Sequence, residues 1–377
     1  MHCSTSQKIG IIGDGQLALM LAEALTKKER NFLCLGSSSS SPMEKLFPEY
    51  TTRDEELFRA SCSVFVLENE FLSTKDLAAL LREKTSALFP DVDSYAHFQN
   101  KVAQRTLFDR LGIPAPRWMP LYDFNDVRSC LEKFDFPFVL KASAGGYDGK
   151  GVRVIHTLSD FEKGLKEFGY FEGRELLVEE RVRIRKEVAQ GFLRRSDGTS
   201  TFLPLVHTVQ ADGVCNIVLY PAQVEEKTAA AIREILRKLI DHGLTGIFNF
   251  EFFVDEDDRV FINEGAPRPH NSQHLTIDAS TSSQFDLLAS YLCGETGIPA
   301  EVQTLPAAMV NVLGQSSSTD YRLELPQLDE SLSVHPKLYG KEKCLPGRKM
   351  GHVNIVDRSA RSDLLSAARK LFKEYQL

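Results

Sequence analysis

Two strand-forming runs, Phe248-Asn249-Phe250-Glu251-Phe252-Phe253 and Val260-Phe261-Ile262-Asn263-Glu264, flank the acidic turn Asp255-Glu256-Asp257-Asp258. Turn residues between such runs fold one strand back on the other, so this stretch commits the chain to an antiparallel pair. Glu251 and Glu264 lie thirteen residues apart, and pairing centred near Asp257 sets both carboxylates at the same end of neighbouring strands. A charge among Phe, Val and Ile needs a partner. Two hard oxygen donors on a framework open to phosphates suit magnesium; ion pairs with Lys or Arg are the alternative.

The rest of the chain alternates helix and strand. Residues 8–12 read as a buried strand, 13–15 as a glycine turn and the residues through about Leu25 as a helix, followed by strands at 32–35 and 64–67 and a helix over 74–84. This is an α/β domain over residues 1–96. A helix over 99–111 and the stiff connector Gly112-Ile113-Pro114-Ala115-Pro116 lead into a second, mixed domain (97–298), with strands at 138–141 and 176–178 and a helix over 225–242. Beyond residue 299 a smaller C-terminal domain ends in a helix over 362–375. The fold class is α/β and α+β, multidomain.

A net charge of −7 gives no global field for nucleic acid or an anionic membrane, so any anion must be bound locally. Seven scattered cysteines, an odd count with no CxxC pair, argue against a disulfide framework and fit a reducing cytoplasm. The polar start and the short apolar run at 9–12 give no signal segment or membrane span.

Four further segments carry chemistry. Gly13-Asp14-Gly15-Gln16-Leu17-Ala18 matches GxGxxA, whose small residues let a phosphate approach a helix N-terminus. The acidic residue that a dinucleotide needs about twenty positions on is replaced by Cys34-Leu35-Gly36-Ser37, which leaves an ordinary turn or another phosphate ligand. Lys141-Ala142-Ser143-Ala144-Gly145-Gly146-Tyr147-Asp148-Gly149-Lys150-Gly151 is a strand-borne lysine followed by a glycine flap whose N–H groups can cradle a polyphosphate. Gly265-Ala266-Pro267-Arg268-Pro269-His270-Asn271-Ser272-Gln273-His274 is a stiff loop in which Arg268 can hold bicarbonate or a carboxylate by two parallel hydrogen bonds. Near the end, Lys341, Arg348 and Lys349 stand beside glycines and suit a phosphate monoester; a solvated basic hairpin is the alternative.

In this order and spacing the segments resemble the 5-(carboxyamino)imidazole ribonucleotide synthases, ATP-grasp enzymes of purine biosynthesis. The resemblance covers nearly the whole chain. Its most specific stretches are residues 145–151, 263–271, Ser283-Gln284-Phe285, Met309-Val310-Asn311-Val312-Leu313-Gly314, and Tyr339-Gly340-Lys341 with residues 347–352. It implies an ATP-grasp fold with an N-terminal Rossmann-like domain (1–96), an ATP-grasp domain (97–298, its flap-bearing part about 120–190) and a small C-terminal domain (299–377).

By the same resemblance, ATP lies between two mixed sheets, with Lys101 and Lys141 on its phosphates and Gly146, Tyr147, Asp148, Gly149, Lys150 and Gly151 closing over them. Glu179, Glu180 and Val182 fall on the adenine-binding strand, Glu187 faces the ribose, and Gln210 stands where histidine often contacts nucleotide. Glu251 and Glu264 hold Mg2+, assisted by Asn263. Aminoimidazole ribonucleotide takes Gln16, Tyr147 and Asp148, with Lys341, Arg348 and Lys349 at its phosphate, while Arg268, His270 and Asn271 face bicarbonate. The implied reaction is phosphoryl transfer to bicarbonate and carboxyl transfer from carboxyphosphate to an amine, in a cytoplasmic homodimer.

Four places depart from the family pattern. Asp14, Ala18 and Leu19 replace glycine, glycine and arginine, so Asp14 must point away from a phosphate or the loop has another role. His207-Thr208 replaces Glu-Asn, with Gln210 in place of histidine; Gln273 adds a side chain beside the proposed clamp; and Arg181 occupies a position usually apolar. Competing readings are a formate-using ribonucleotide transformylase, a biotin-type carboxylase, a catalytically silent nucleotide-binding regulator, and a nicotinamide oxidoreductase resting on the opening glycine loop alone.

Overall fold

The computed structural model describes residues 8–145, 151–211, 213–360 and 362–377. The expected flap sites Gly146, Tyr147, Asp148, Gly149 and Lys150 lie outside the described residues. Strands β1 (Lys8–Ile12), β2 (Phe32–Leu35), β3 (Thr51–Thr52), β4 (Cys62–Leu67) and β5 (Leu88–Phe89) pair in parallel in the order β3-β2-β1-β4-β5. Parallel neighbours need crossovers, and the helices Gln16–Lys27, Glu55–Ser61 and Thr74–Leu81 are among those that supply them. Ile9, Ile11, Val64 and Val66 feed one core, and Ile12, Leu33, Phe65 and Leu67 feed another, so the sheet is buried on both faces. The helix Gln284–Leu292 joins the first core through Phe285, Leu288 and Leu292.

A second sheet contains β6 (Trp118–Leu121), β7 (Phe138–Ala142), β8 (Val152–Ile155) and β9 (Leu176–Glu180), in the order β6-β9-β7-β8. The third contains β10 (Ile184–Arg194), β11 (Ser200–Phe202), β12 (Val206–Ala211), β13 (Val214–Tyr220), β14 (Gly246–Asp255), β15 (Val260–Ala266), β16 (Ala307–Leu313), β17 (Leu332–Leu338) and β18 (Lys349–Asp357). Its order is β15-β14-β10-β12-β13-β16-β18-β17, with β11 on β10.

The strand pairings within both sheets are antiparallel, which corrects the expectation of two mixed sheets. Short turns, such as 256–259 between β14 and β15, can join neighbouring strands only in that sense. The strands of the C-terminal domain continue the third sheet through the β13–β16 pair, and the helix Leu364–Glu374 contributes Ala368 and Leu371 to their core. Among the described residues no helix is long and apolar enough to cross a membrane.

Candidate active site

A cleft of about 1090 Å³ is lined by residues of the four-stranded sheet and of the larger sheet. Alternation along β7 and β8 turns Val139, Lys141, Val152 and Val154 to one face, and β9 adds Glu179 opposite Val139. On the larger sheet Glu187 pairs with Phe253 and Ala189 with Glu251, so Glu187, Glu251 and Phe253 share a face. The lining combines apolar side chains (Phe136, Val139, Val152, Val154, Val182 and Phe253) with lysines and carboxylates. That mixture suits a heteroaromatic base carrying a polyphosphate. Lys101, Lys141, Glu179, Glu180, Val182, Glu187, Gln210, Glu251, Asn263 and Glu264, expected from the sequence at an ATP site, all line it. Gly151, with a φ of 88°, precedes β8, and its carbonyl accepts from the Ala142 N–H at 2.8 Å.

One correction concerns 179–182. The strand ends at Glu180, and Arg181 and Val182 belong to a short link into β10. Arg181, Arg183 and Arg185 are exposed, which accounts for cations where apolar residues were expected. The Glu179 carboxylate is deeply buried and committed to two cations, Arg105 at 2.6 Å and Lys141 at 2.6 Å. Burial opposes its charge, but the two cations outweigh that and hold its pKa below the ordinary carboxylate value. Burial pushes the Lys141 pKa down despite this partner. Lys141 also donates to Asn263 Oδ1 at 3.2 Å. Arg105 was not singled out from the sequence, although it lies one helical turn after Lys101 on the helix Lys101–Arg110.

Glu251 and Glu264 are register partners across β14 and β15, as their spacing predicts. The register slips between Glu251 and Phe252, which leaves Asn263 as the extra residue of a bulge. Strict alternation would turn Asn263 away from Glu264; with the bulge, both line the cleft. Lys101 forms an ion pair with Glu264 and, as its largest influence, holds the Glu264 pKa down to about 2. Burial, then Glu264 and Glu187, push Glu251 up to about 8. A divalent cation at the pair would relieve that repulsion, so the donor set fits magnesium: two hard carboxylates with an amide oxygen beside them. Among the described residues no group of three or more His, Cys, Asp or Glu makes a metal cage; a magnesium site completed by substrate phosphates needs only one or two carboxylates. Glu187 is pushed up to about 7 by burial, against a hydrogen bond from Gln210.

Glu251 and Glu264 also line two further cavities, of about 710 and 370 Å³. The smaller gathers Gln16, Arg268, His270, Asn271 and Lys349, so two of the expected ribonucleotide residues, Gln16 and Lys349, and the expected bicarbonate residues meet the ATP residues at one carboxylate pair. Lys341 and Arg348 do not line it. The Lys341 ammonium donates to the Lys349 carbonyl at 2.7 Å, and exposed Arg348 donates to the Lys343 carbonyl at 2.9 Å. Arg268 requires a second correction. Its two-point face is held by Glu70, with Nη2 donating to Oε1 at 2.9 Å and Nε to Oε2, while Nη1 donates to the Pro269 carbonyl at 3.2 Å. A half-buried guanidinium is stabilised by a counterion before any substrate arrives, so the fork expected to grip bicarbonate is engaged within the protein. Burial works against the charge of Glu70, but Arg268 prevails and lowers its pKa.

The opening glycine loop has a role of its own. Glu68, directly after β4, accepts from the N–H groups of Gly15 at 2.7 Å and Leu17 at 3.1 Å. A Cβ at Gly15 would lie 2.3 Å from the Glu68 carboxylate. The small residues thus admit an internal carboxylate to the helix N-terminus, where a dinucleotide pyrophosphate would otherwise bind, which removes the basis of the nicotinamide reading. Asp14 points away, accepting from the Ser37 and Ser38 N–H groups at 2.8 and 3.1 Å. Gln273 is buried and donates to the Pro204 carbonyl at 3.0 Å, so it does not crowd the cavity.

Burial holds three histidines neutral in the fold, His270 and His207 down to about 4 and His352 down to about 3. The unfolded imidazoles titrate near ~6.5. From there down to the folded values the unfolded chain binds more protons at these sites than the native one, so their contribution to stability falls as pH drops through that window. Glu187 and Glu251, with raised pKa values, bind protons in the native chain over the same range and act in the opposite direction, so the test is the difference between wild type and His352→Asn: the pH dependence of the denaturation midpoint between pH 7 and pH 5 is expected to change by about one proton; an unchanged dependence would contradict this assignment.

Residues 106–285 match the ATP-grasp domain family, and residues 307–364 match the phosphoribosylaminoimidazole carboxylase C-terminal domain. The N5-carboxyaminoimidazole ribonucleotide synthase of Synechocystis sp. is 32% identical over 386 residues, covering 98% of this chain and 97% of that protein. Its counterpart from Staphylococcus aureus strain COL is 30% identical over 359 residues, covering 92% of each. Among solved structures, N5-carboxyaminoimidazole synthetase from Staphylococcus aureus complexed with ADP superposes with a TM-score of 0.85 at 26% identity, covering 99% of this chain and 98% of that one. N5-carboxyaminoimidazole synthase from Aspergillus clavatus, in complex with ADP and 5-aminoimidazole ribonucleotide, gives 0.81 at 25% identity, covering 98% and 99%. On sequence and fold alike, this chain belongs to the N5-carboxyaminoimidazole ribonucleotide synthase family of ATP-grasp ligases.

Proposed function

We propose that this chain uses ATP and bicarbonate to carboxylate the exocyclic amine of 5-aminoimidazole ribonucleotide, a magnesium-dependent step of purine biosynthesis carried out by a cytoplasmic homodimer. The observation that carries this reading is the shared wall: Glu251 and Glu264 line both the cleft suited to ATP and the cavity that holds Gln16, His270, Asn271 and Lys349. A phosphoryl group at the end of the first can meet an acceptor in the second without crossing solvent.

Each group then has a task. Lys141, at the end of a rigid strand, and Lys101, at the first turn of a helix whose N-terminus favours anions, neutralise the phosphates. Glu187 and Gln210 take the ribose. Glu251 and Glu264 hold magnesium, whose chemistry there is charge neutralisation on the transferred phosphoryl group. His270, uncharged at neutral pH, accepts from the Ser272 N–H at Nδ1 at 3.3 Å, so its proton is on Nε2, a donor that stands 3.9 Å from Glu251. With Asn271 it orients bicarbonate and then carboxyphosphate, while Arg268, neutralised by Glu70, supplies a nearby dipole. The glycine flap, with Tyr147 and Asp148, covers this labile species and keeps out the water that would hydrolyse it.

Isotopically labelled bicarbonate supplied with ATP and aminoimidazole ribonucleotide tests the reading: label is expected in a carboxylated ribonucleotide. Label absent, with formate accepted on glycinamide ribonucleotide instead, would favour the transformylase. Lys349→Ala is expected to raise the half-saturating ribonucleotide concentration by about 10-fold or more, the loss of one charge-assisted phosphate contact. The ATP dependence should barely move; a change confined to ATP would take Lys349 away from the ribonucleotide.

A further inference from the structure

Three buried amide side chains from three separate elements grip the loop that carries Arg268, His270 and Asn271. Asn249 on β14 donates to the Arg268 carbonyl at 2.9 Å. Gln284, the first residue of the helix Gln284–Leu292, accepts from the His270 N–H at 2.8 Å and donates to the His270 carbonyl at 2.9 Å. Asn311 on β16 exchanges two hydrogen bonds with the Asn271 side chain, donating at 2.7 Å and accepting at 2.9 Å. Asn249, Gln284 and Asn311 are buried.

The contacts also decide orientation. A terminal amide can flip by half a turn and exchange its donor and acceptor. Asn311 cannot, because its Nδ2 also donates to the Cys215 carbonyl at 2.8 Å, a group that only accepts. With Asn311 set, the reciprocal pair sets Asn271, so the donor and the acceptor that Asn271 presents to the cavity are decided by a carbonyl on β13. Gln284 is set in the same way by the backbone of His270, whose N–H only donates and whose carbonyl only accepts.

We propose that Asn311 and Gln284 are positioning residues: Asn311 orients the Asn271 amide, Gln284 fixes the His270 backbone, and together they keep phosphoryl transfer coupled to carboxylation. The inference rests on the proposed reaction. A carboxyphosphate poorly held by Asn271 would be hydrolysed before its carboxyl group reached the amine, and ATP would be consumed without product. Displacing a reacting group by about 1 Å can cost ~10²-fold in rate, so a contact acting through Asn271 is expected to cost on the order of 10-fold.

The test compares wild-type enzyme, Asn311→Ser, Asn271→Ala and the double variant in saturating ATP, bicarbonate and aminoimidazole ribonucleotide, measuring ADP and carboxylated product together. Serine is too short to reach Asn271 or the Cys215 carbonyl, both of which the Asn311 Nδ2 reaches at 2.7 and 2.8 Å. Asn311→Ser is expected to lower product formed per ADP by about 10-fold while the half-saturating ATP concentration stays near wild type. The double variant should be no worse than Asn271→Ala, because the two residues act as one unit. Gln284→Met, which keeps length and removes the two contacts to the His270 backbone together with one to His274 Nδ1 at 2.9 Å, is the independent variant should serine at 311 disturb folding, with the same loss of coupling expected. Wild-type coupling in a folded Asn311→Ser or Gln284→Met enzyme, or losses that multiply in the double variant, would overturn the proposal. A wild-type enzyme that makes no carboxylated product would defeat the functional reading itself, and the proposal with it.

Discussion

Glu264→Gln is expected to lower turnover by at least about 100-fold, since metal charge stabilisation is worth several kcal/mol and each ~1.4 kcal/mol is a decade. The substitution leaves the shape of the side chain almost intact. It removes one of two carboxylates facing each other across β14 and β15, and with it the charge that pairs with Lys101. The magnesium concentration needed for half-maximal rate should rise in parallel. Lys101→Met separates the two effects: it should raise the half-saturating ATP concentration without the same shift in magnesium dependence. Wild-type turnover and magnesium dependence in Glu264→Gln would remove Glu264 from the metal site.

Glu179→Ala is expected to destabilise the fold by about 3–5 kcal/mol, because it strands buried Arg105 and Lys141 without their counterion. Breaking such a network costs more than the network contributes relative to apolar residues, since an uncompensated charge in a low-dielectric interior has no water to turn to. The loss should show as a lower denaturation midpoint with an unchanged slope. Its pH dependence follows from the lowered pKa of Glu179. The contribution is complete above the unfolded carboxyl value of ~4.3 and disappears as pH falls through the folded value. The variant's midpoint should therefore approach that of wild type in acid. A variant within about 1 kcal/mol of wild type at neutral pH would mean that Arg105 and Lys141 are not held by Glu179.

What could be read along the chain was whatever depends on local spacing. The Glu251 and Glu264 pairing followed from a turn at a known offset, and Lys141 followed from a strand that delivers a charge into a glycine run. The GxGxxA loop was legible as a close backbone approach, but the approaching group was not: Glu68 lies more than fifty residues away, and no local period announces it. The same holds for Glu70, which meets Arg268 across 198 residues. The bulge at Asn263 breaks the period of two that strand reading assumes: alternation alone turns Asn263 to the far face, and it was the family resemblance, not the spacing, that put it at the site. Arg105 carried a usable signal, its one-turn spacing from Lys101. The joining of β16–β18 to the main sheet is a tertiary choice, since apolar strands report that they pair but not with which neighbour.

The most direct test of the account is magnesium-dependent ADP release from ATP, measured with aminoimidazole ribonucleotide and bicarbonate together and with each omitted in turn. The account predicts strong stimulation by the ribonucleotide and carboxylated product only when bicarbonate is present. ATP binding without stimulation by either would contradict it, and would point to a nucleotide-binding protein that keeps the cleft but not the reaction.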